Sequence, residues 1–183
     1  MGIVLLVVVF ILIPVALFQF KQYRLNTPSL QWPVLAKVLN LTYEADPPRL
    51  TGTRNGRKVL VETCPGGARV ASVLERPSRL RIEVGPKADM LRKAGMIVPD
   101  PVLTGDQEFE EKLMARCSDK AVGARMFDPH LRQVLLGQPC VEILGQGSTV
   151  QWTFPVVKDP DVTETALDIV TVFAEEMDRL PEA

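Results

Sequence analysis

The sequence predicts an α+β protein: a single N-terminal transmembrane helix, followed by one domain with a mainly antiparallel sheet and packed helices. Three observations carry this. Residues 2–20 hold no charge; strand-like runs follow one another with turn residues between them; and helix signals are grouped, without regular β-α alternation. The 183 residues carry 23% charged side chains, an ordinary fraction for a folded chain, so full-length disorder is excluded. A formal net charge of −1 excludes general nucleic-acid binding, which needs a basic footprint to displace counterions. One His excludes two-histidine motifs such as H-E-x-x-H.

The run GIVLLVVVFILIPVALFQF at 2–20 reaches roughly 28 Å as a helix, close to the bilayer core of about 30 Å. Only Met1 precedes it, and Leu17-Phe18-Gln19-Phe20 offers no small-x-small cleavage site, so an uncleaved anchor is expected. Pro14 frees one carbonyl and bends the helix mildly, with no function attached. Lys21, Arg24 and Lys37 all precede the first acid, Glu44. The positive-inside rule then predicts a single-pass protein of the inner membrane with its C-terminal domain in the cytoplasm. The expected organisation is an anchor at 1–20, a juxtamembrane linker at 21–28 and a cytoplasmic α+β domain at 29–183. Tyr23 and Trp32 are candidates for the headgroup level, Trp32 equally for the core.

The first helix of the domain starts either at Pro28, with Thr27 as N-cap, or at Pro33, and Leu35, Val38 and Leu39 form its apolar stripe. Leu41–Ala45 alternates like a strand. Arg49–Arg54 and Arg57–Thr63 flank Asn55-Gly56, the residue pair that a type I′ turn demands, so a β-hairpin is predicted. Pro65-Gly66-Gly67 turns the chain again. Arg69–Leu74 and Leu80–Val84 read as two further strands joined by a turn at Glu75–Ser78, completing a meander. Ala88–Ala94 reads as a short helix closed by Gly95. Phe109–Ser118 reads as a strand and residues 120–127 as a helix. Asp128-Pro129 starts another helix that runs to Gly137. Val141–Leu144 and Thr149–Phe154, joined by Gly145-Gln146-Gly147-Ser148, read as a second hairpin. Asp159-Pro160 starts the last helix, whose Val162, Ala166, Ile169, Val170, Phe173, Met177 and Leu180 recur every three or four residues.

The helix bearing Trp32, Leu35, Ala36 and Leu39 is followed by Leu41-Thr42-Tyr43, Leu50-Thr51-Gly52, Gly56-Arg57 and Thr104-Gly105-Asp106-x-x-Phe109. This series resembles a membrane-anchored bacterial domain family of uncharacterised function. The family pattern more often has Asp after the Phe, where this chain has Glu110. The resemblance implies no catalytic residues.

No motif carries chemistry of its own. The four carboxylates within Asp106–Glu111 lack the spacing of a calcium loop and read as a solvated face after a turn. His130 lies in the first turn of a helix and reads as a surface or capping residue. Three cysteines, Cys64, Cys117 and Cys140, match no C-x-x-C site; Cys117 and Cys140 read as small buried hydrophobes. Gly145–Ser148 lacks the Lys of a phosphate loop. No catalytic, cofactor-binding or metal-binding residue is therefore assigned, and no cofactor is expected.

Charge is distributed unevenly. Residues 158–183 set eight acids against Lys158 and Arg179, whereas Arg49, Arg54, Arg57, Lys58, Arg76, Arg79 and Arg81 crowd the strands. Two docking faces of opposite sign are expected if these residues cluster. The expected function is a non-catalytic accessory or assembly subunit of a bacterial membrane protein complex, of respiratory or photosynthetic type by analogy. Its expected partners are integral membrane protein subunits and the lipid bilayer. The alternative is a membrane-anchored enzyme or ligand-binding module.

Overall fold

A computed structural model describes residues 26–92 and 98–179 of the chain. The predicted anchor at 2–20 lies outside the described residues. No helix among those described is long and apolar enough to cross a membrane.

The fold is α+β, with helices packed on an antiparallel sheet of six strands. Helix α1 (Pro28–Val38) begins with Pro at its first position after the N-cap Thr27, and carries Pro33 inside it. Strands β1 (Thr42–Ala45), β2 (Pro48–Arg54) and β3 (Arg57–Cys64) form the first part of the meander. The hairpin between β2 and β3 closes at Asn55 (φ 49°) and Gly56 (φ 80°), the left-handed pair its type I′ turn requires.

The expected fourth and fifth strands are one. Strand β4 runs through 20 residues, Gly67–Pro86, with no turn at Glu75–Ser78. Strand β6 (Ile143–Phe154) explains this. It pairs with β4 from Ala68↔Phe154 to Val84↔Ile143, and the register shifts on both sides of Ser78 absorb the irregular stretch as bulges. The second expected hairpin disappears for the same reason. Gly145–Ser148 lies inside β6, and Gly147 takes φ 62° where the register shifts. One edge of β4 is thus held by β6 at both ends and at Ser78, with irregular stretches between. The other is shared, its first half by β3 and its second half by β5 (Leu113–Cys117).

Helix α2 (Lys87–Arg92) follows β4 directly; the rest of the expected Ala88–Ala94 helix falls on residues that are not described. The strand expected at Phe109–Ser118 is half helix. Asp106 accepts from the Phe109 amide at 3.1 Å and caps α3 (Gln107–Lys112), which delays β5 to Leu113. Helices α4 (Lys120–Met126), α5 (Pro129–Leu136) and α6 (Pro160–Asp178) are capped in the same way by Asp119, Asp128 and Asp159.

Alternation along the strands sets the core. Tyr43, Leu50, Val61, Val70 and Trp152 stand in one row across β1, β2, β3, β4 and β6. Of these, Leu50, Val61, Val70 and Trp152 are fully buried. Helix α6 lies across β4 and β6 and buries Ala166, Leu167, Ile169, Val170, Phe173, Ala174 and Met177, close to the periodicity expected of it. Leu180 lies outside the described residues. Phe173 meets Phe127 edge-on with centroids 5.7 Å apart, and Phe127 leads on to Phe109 at 6.3 Å.

Candidate functional site

The side chains singled out in the sequence do not converge. Cys117 is buried in β5, and burial pushes its thiol pKa up. Cys140 is half-buried before β6; burial, assisted by Glu142, pushes its thiol up as well. Both therefore hold the weakly nucleophilic thiol form at neutral pH. Cys64 ends β3 and is half-buried. His130 is exposed on α5. Among the described residues, no three His, Cys, Asp or Glu side chains group to hold a metal ion.

The acidic run is structural rather than simply solvated. Glu110 turns back and accepts from the Thr104 amide (2.7 Å), the Thr104 hydroxyl (3.0 Å) and the Gly105 amide (2.9 Å). Those bonds, from Thr104 first, hold its carboxyl below the ordinary range. Asp106 caps α3 and faces Arg132 of α5 at 3.4 Å, while Lys87 reaches the Glu110 carbonyl. The segment ties α2, α3 and α5 together.

The basic strands and the acidic last helix partly neutralise each other within the domain. Several of the basic side chains meet acids within the domain. Arg54 donates to Asp168 at 2.7 Å and to Glu164 at 2.8 Å, and these bonds, Asp168 first, raise its pKa further. Arg57 pairs with Asp178, and Arg81 Nε donates to the buried Glu83 at 2.7 Å. On the sheet face opposite the core, Glu44, Arg49, Glu62 and Arg69 stand side by side across β1 to β4 in alternating sign. Arg49 bonds Glu44 and Arg69 bonds Glu62, so this face neutralises itself.

One residue that sequence reading missed organises the bend of β4. Asp178, near the end of α6, binds Arg57 and also accepts from the Glu75 and Arg76 amides at 3.1 and 3.4 Å. It holds in place the stretch that reads as a turn. Nothing local marks it, because its partners are about one hundred residues away in the chain.

One apolar surface that the described residues leave open lies on α1. The expected stripe of Leu35, Val38 and Leu39 is corrected. Trp32, Leu35, Ala36 and Leu39 face inward, whereas Val38 is 61% exposed. With Leu30 (45%) and Val34 (58%) it forms an outward apolar row at four-residue spacing. Helix α1 is apolar on two faces, and the domain core covers one. Trp32 takes the core option rather than the headgroup option, and its indole donates to the Val157 carbonyl at 3.1 Å. Gln31 reaches the Lys158 carbonyl at 3.4 Å. The loop that carries these carbonyls also lines a mostly apolar recess of about 420 Å³ between Cys140, Phe154, Val156 and Val162. A second cavity of about 310 Å³ opens between β4, β6 and α2, with Arg81, Glu83, Met90, Glu142 and Gln151 on its walls.

No family model and no curated protein matches the chain. Among solved structures, the chain is similar to the crystal structure of the mycobacterial trehalose monomycolate transport factor A, TtfA. Identity is 13% and the TM-score is 0.63, over 85% of this chain and 97% of that chain. At that identity the likeness shows a shared fold.

Proposed function

We propose that this chain is a non-catalytic accessory or assembly subunit of a bacterial membrane protein complex. In this reading residues 2–20 form a single transmembrane helix in the inner membrane. The domain stands on the cytoplasmic side, and the partners are integral membrane protein subunits. The observation that carries the reading is the junction between anchor and domain. The charge-free run is followed by Lys21 and Arg24, and within eight residues of its end the chain enters α1. Helix α1 is then fixed into the core by Trp32, Leu35, Ala36 and Leu39. A domain joined by so short a link stays close to the bilayer, which raises its effective concentration at neighbouring subunits.

The test is extraction of native membranes in mild detergent, followed by sizing and mass spectrometry of co-purifying chains. Integral membrane subunits are expected in fixed ratio with this chain. Recovery as a lone monomer would overturn the reading. The alternative, an anchored ligand-binding module, draws on the cavity walled by Arg81, Glu83 and Glu142. A small molecule that co-purifies with the monomer and is lost on Arg81→Ala would favour it.

A further inference from the structure

From the outward row on α1 we infer that Leu30, Val34 and Val38 dock on the surface of the lipid bilayer, with α1 lying along the interface by the apolar face that the core does not use. The inference rests on the anchored reading above and adds to it the place where the domain meets the membrane. Three observations lead there. First, the row consists of aliphatic side chains on a helix that already uses its other face for the core, and among the described residues the row stays 45–61% exposed. Second, the chain between the expected anchor and Pro28 is seven residues, 21–27. At about 3.5 Å per residue it spans at most roughly 25 Å, which keeps α1 within reach of the headgroups. Third, the charge on this side suits anionic lipid. Helix α1 contains no acid, Lys37 lies beside the row, and Lys21 and Arg24 stand in the link. Lys158, whose carbonyl Gln31 reaches, is followed by two acids at the start of α6, the N-cap Asp159 and Asp161 in the first turn.

Three partly exposed aliphatic side chains would bind a membrane weakly if the domain were free. Here the anchor has already brought α1 to the surface, so a weak contact is occupied most of the time. A partner's transmembrane helix is the competing occupant. It is less favoured because α1 follows the membrane exit so closely, at headgroup rather than hydrocarbon depth.

The experiment uses the unmodified full chain in nanodiscs of phosphatidylglycerol and phosphatidylcholine mixed one to three, with a trace of phospholipid bearing a photoreactive diazirine near the glycerol end of its acyl chain. After illumination, tryptic peptides are sequenced by mass spectrometry. Adducts within residues 1–24 report the anchor. Adducts that fragment ions place at Leu30, Val34 or Val38 report the docked helix. Both sets are expected, and Val34→Asp is expected to reduce the α1 adducts severalfold without changing the melting temperature. Adducts confined to residues 1–27 would overturn the inference and leave the anchor standing; a partner then becomes the occupant to seek. An adduct yield on α1 unchanged by Val34→Asp would also overturn it. Absence of adducts throughout would overturn both readings.

Discussion

Asp178 shows how one carboxylate can decide the course of a strand. Its side chain and that of Arg57 are each 10% exposed, and it also satisfies two amides of β4 where the register slips. Asp178→Ala leaves a buried guanidinium and two strand amides without their acceptor. A loss of about 3 kcal/mol is expected, at the low end for breaking a buried pair. Asp178→Asn keeps an oxygen for an amide and should lose less. Chemical denaturation of the full chain in detergent, monitored by near-UV circular dichroism, measures both. Equal losses for the two variants would show that the ion pair alone matters. Glu110 gives a residue-scale prediction in pH. Bonds to its charged form depress its folded pKa, so its contribution is fully present above the ordinary carboxylate range and is lost as pH falls through the depressed value. Glu110→Ala should therefore cost about 1 kcal/mol at neutral pH, and the gap from the native protein should close in acid. A gap that stays constant with pH would assign the loss to helix capping or packing instead.

At the scale of elements, the hairpin of β2 and β3 was legible because two adjacent residues specify it. Gly56 sits at φ 80° with nothing near its Cβ position, so the conformation rather than space selects glycine there. Gly56→Val is expected to lower stability by about 1–2 kcal/mol, seen as a lower melting temperature. An unchanged melt would mean that the turn rearranges at no cost. Helix starts were legible for the same local reason: Asp128 and Asp159 each stand before a proline, and each caps its helix. Asp106 went unread as a cap because Phe109 and the residues after it suggest a strand, while the bond that decides is a single side chain to the Phe109 amide. The continuous course of β4 through Pro77 was not legible. Glu75–Ser78 has turn composition, and only pairing with β6 and the reach of Asp178 from α6 keep it extended. The row on α1 was partly legible. The helix is apolar on more sides than one core needs, but which side stays outside is set by Trp32 reaching the Val157 carbonyl.

For the whole molecule, the proposed docking role turns on how stiffly the proposed anchor would hold the domain. Two joints bear on it: the short link at residues 21–27, and the packing of α1 against β1 and β2. If the short link sets the domain's height and orientation, a longer link should leave the fold intact and weaken docking. A Gly/Ser segment of about 20 residues inserted between Arg24 and Leu25 would have a root-mean-square span of roughly 25 Å. The domain could then sample many orientations, and its effective concentration at any one docking site would fall. The expected outcome has three parts. The melting temperature is unchanged, because no contact of the domain is altered. The chain still resists an alkaline carbonate wash, because residues 2–20 are untouched. The yield of partner subunits recovered in mild detergent drops. A drop in melting temperature would mean that the link itself packs on the domain. An undiminished partner yield would mean that docking is governed by apolar contacts strong enough to need no help from the tether, and residues 2–20 would then be a retention device rather than an alignment device.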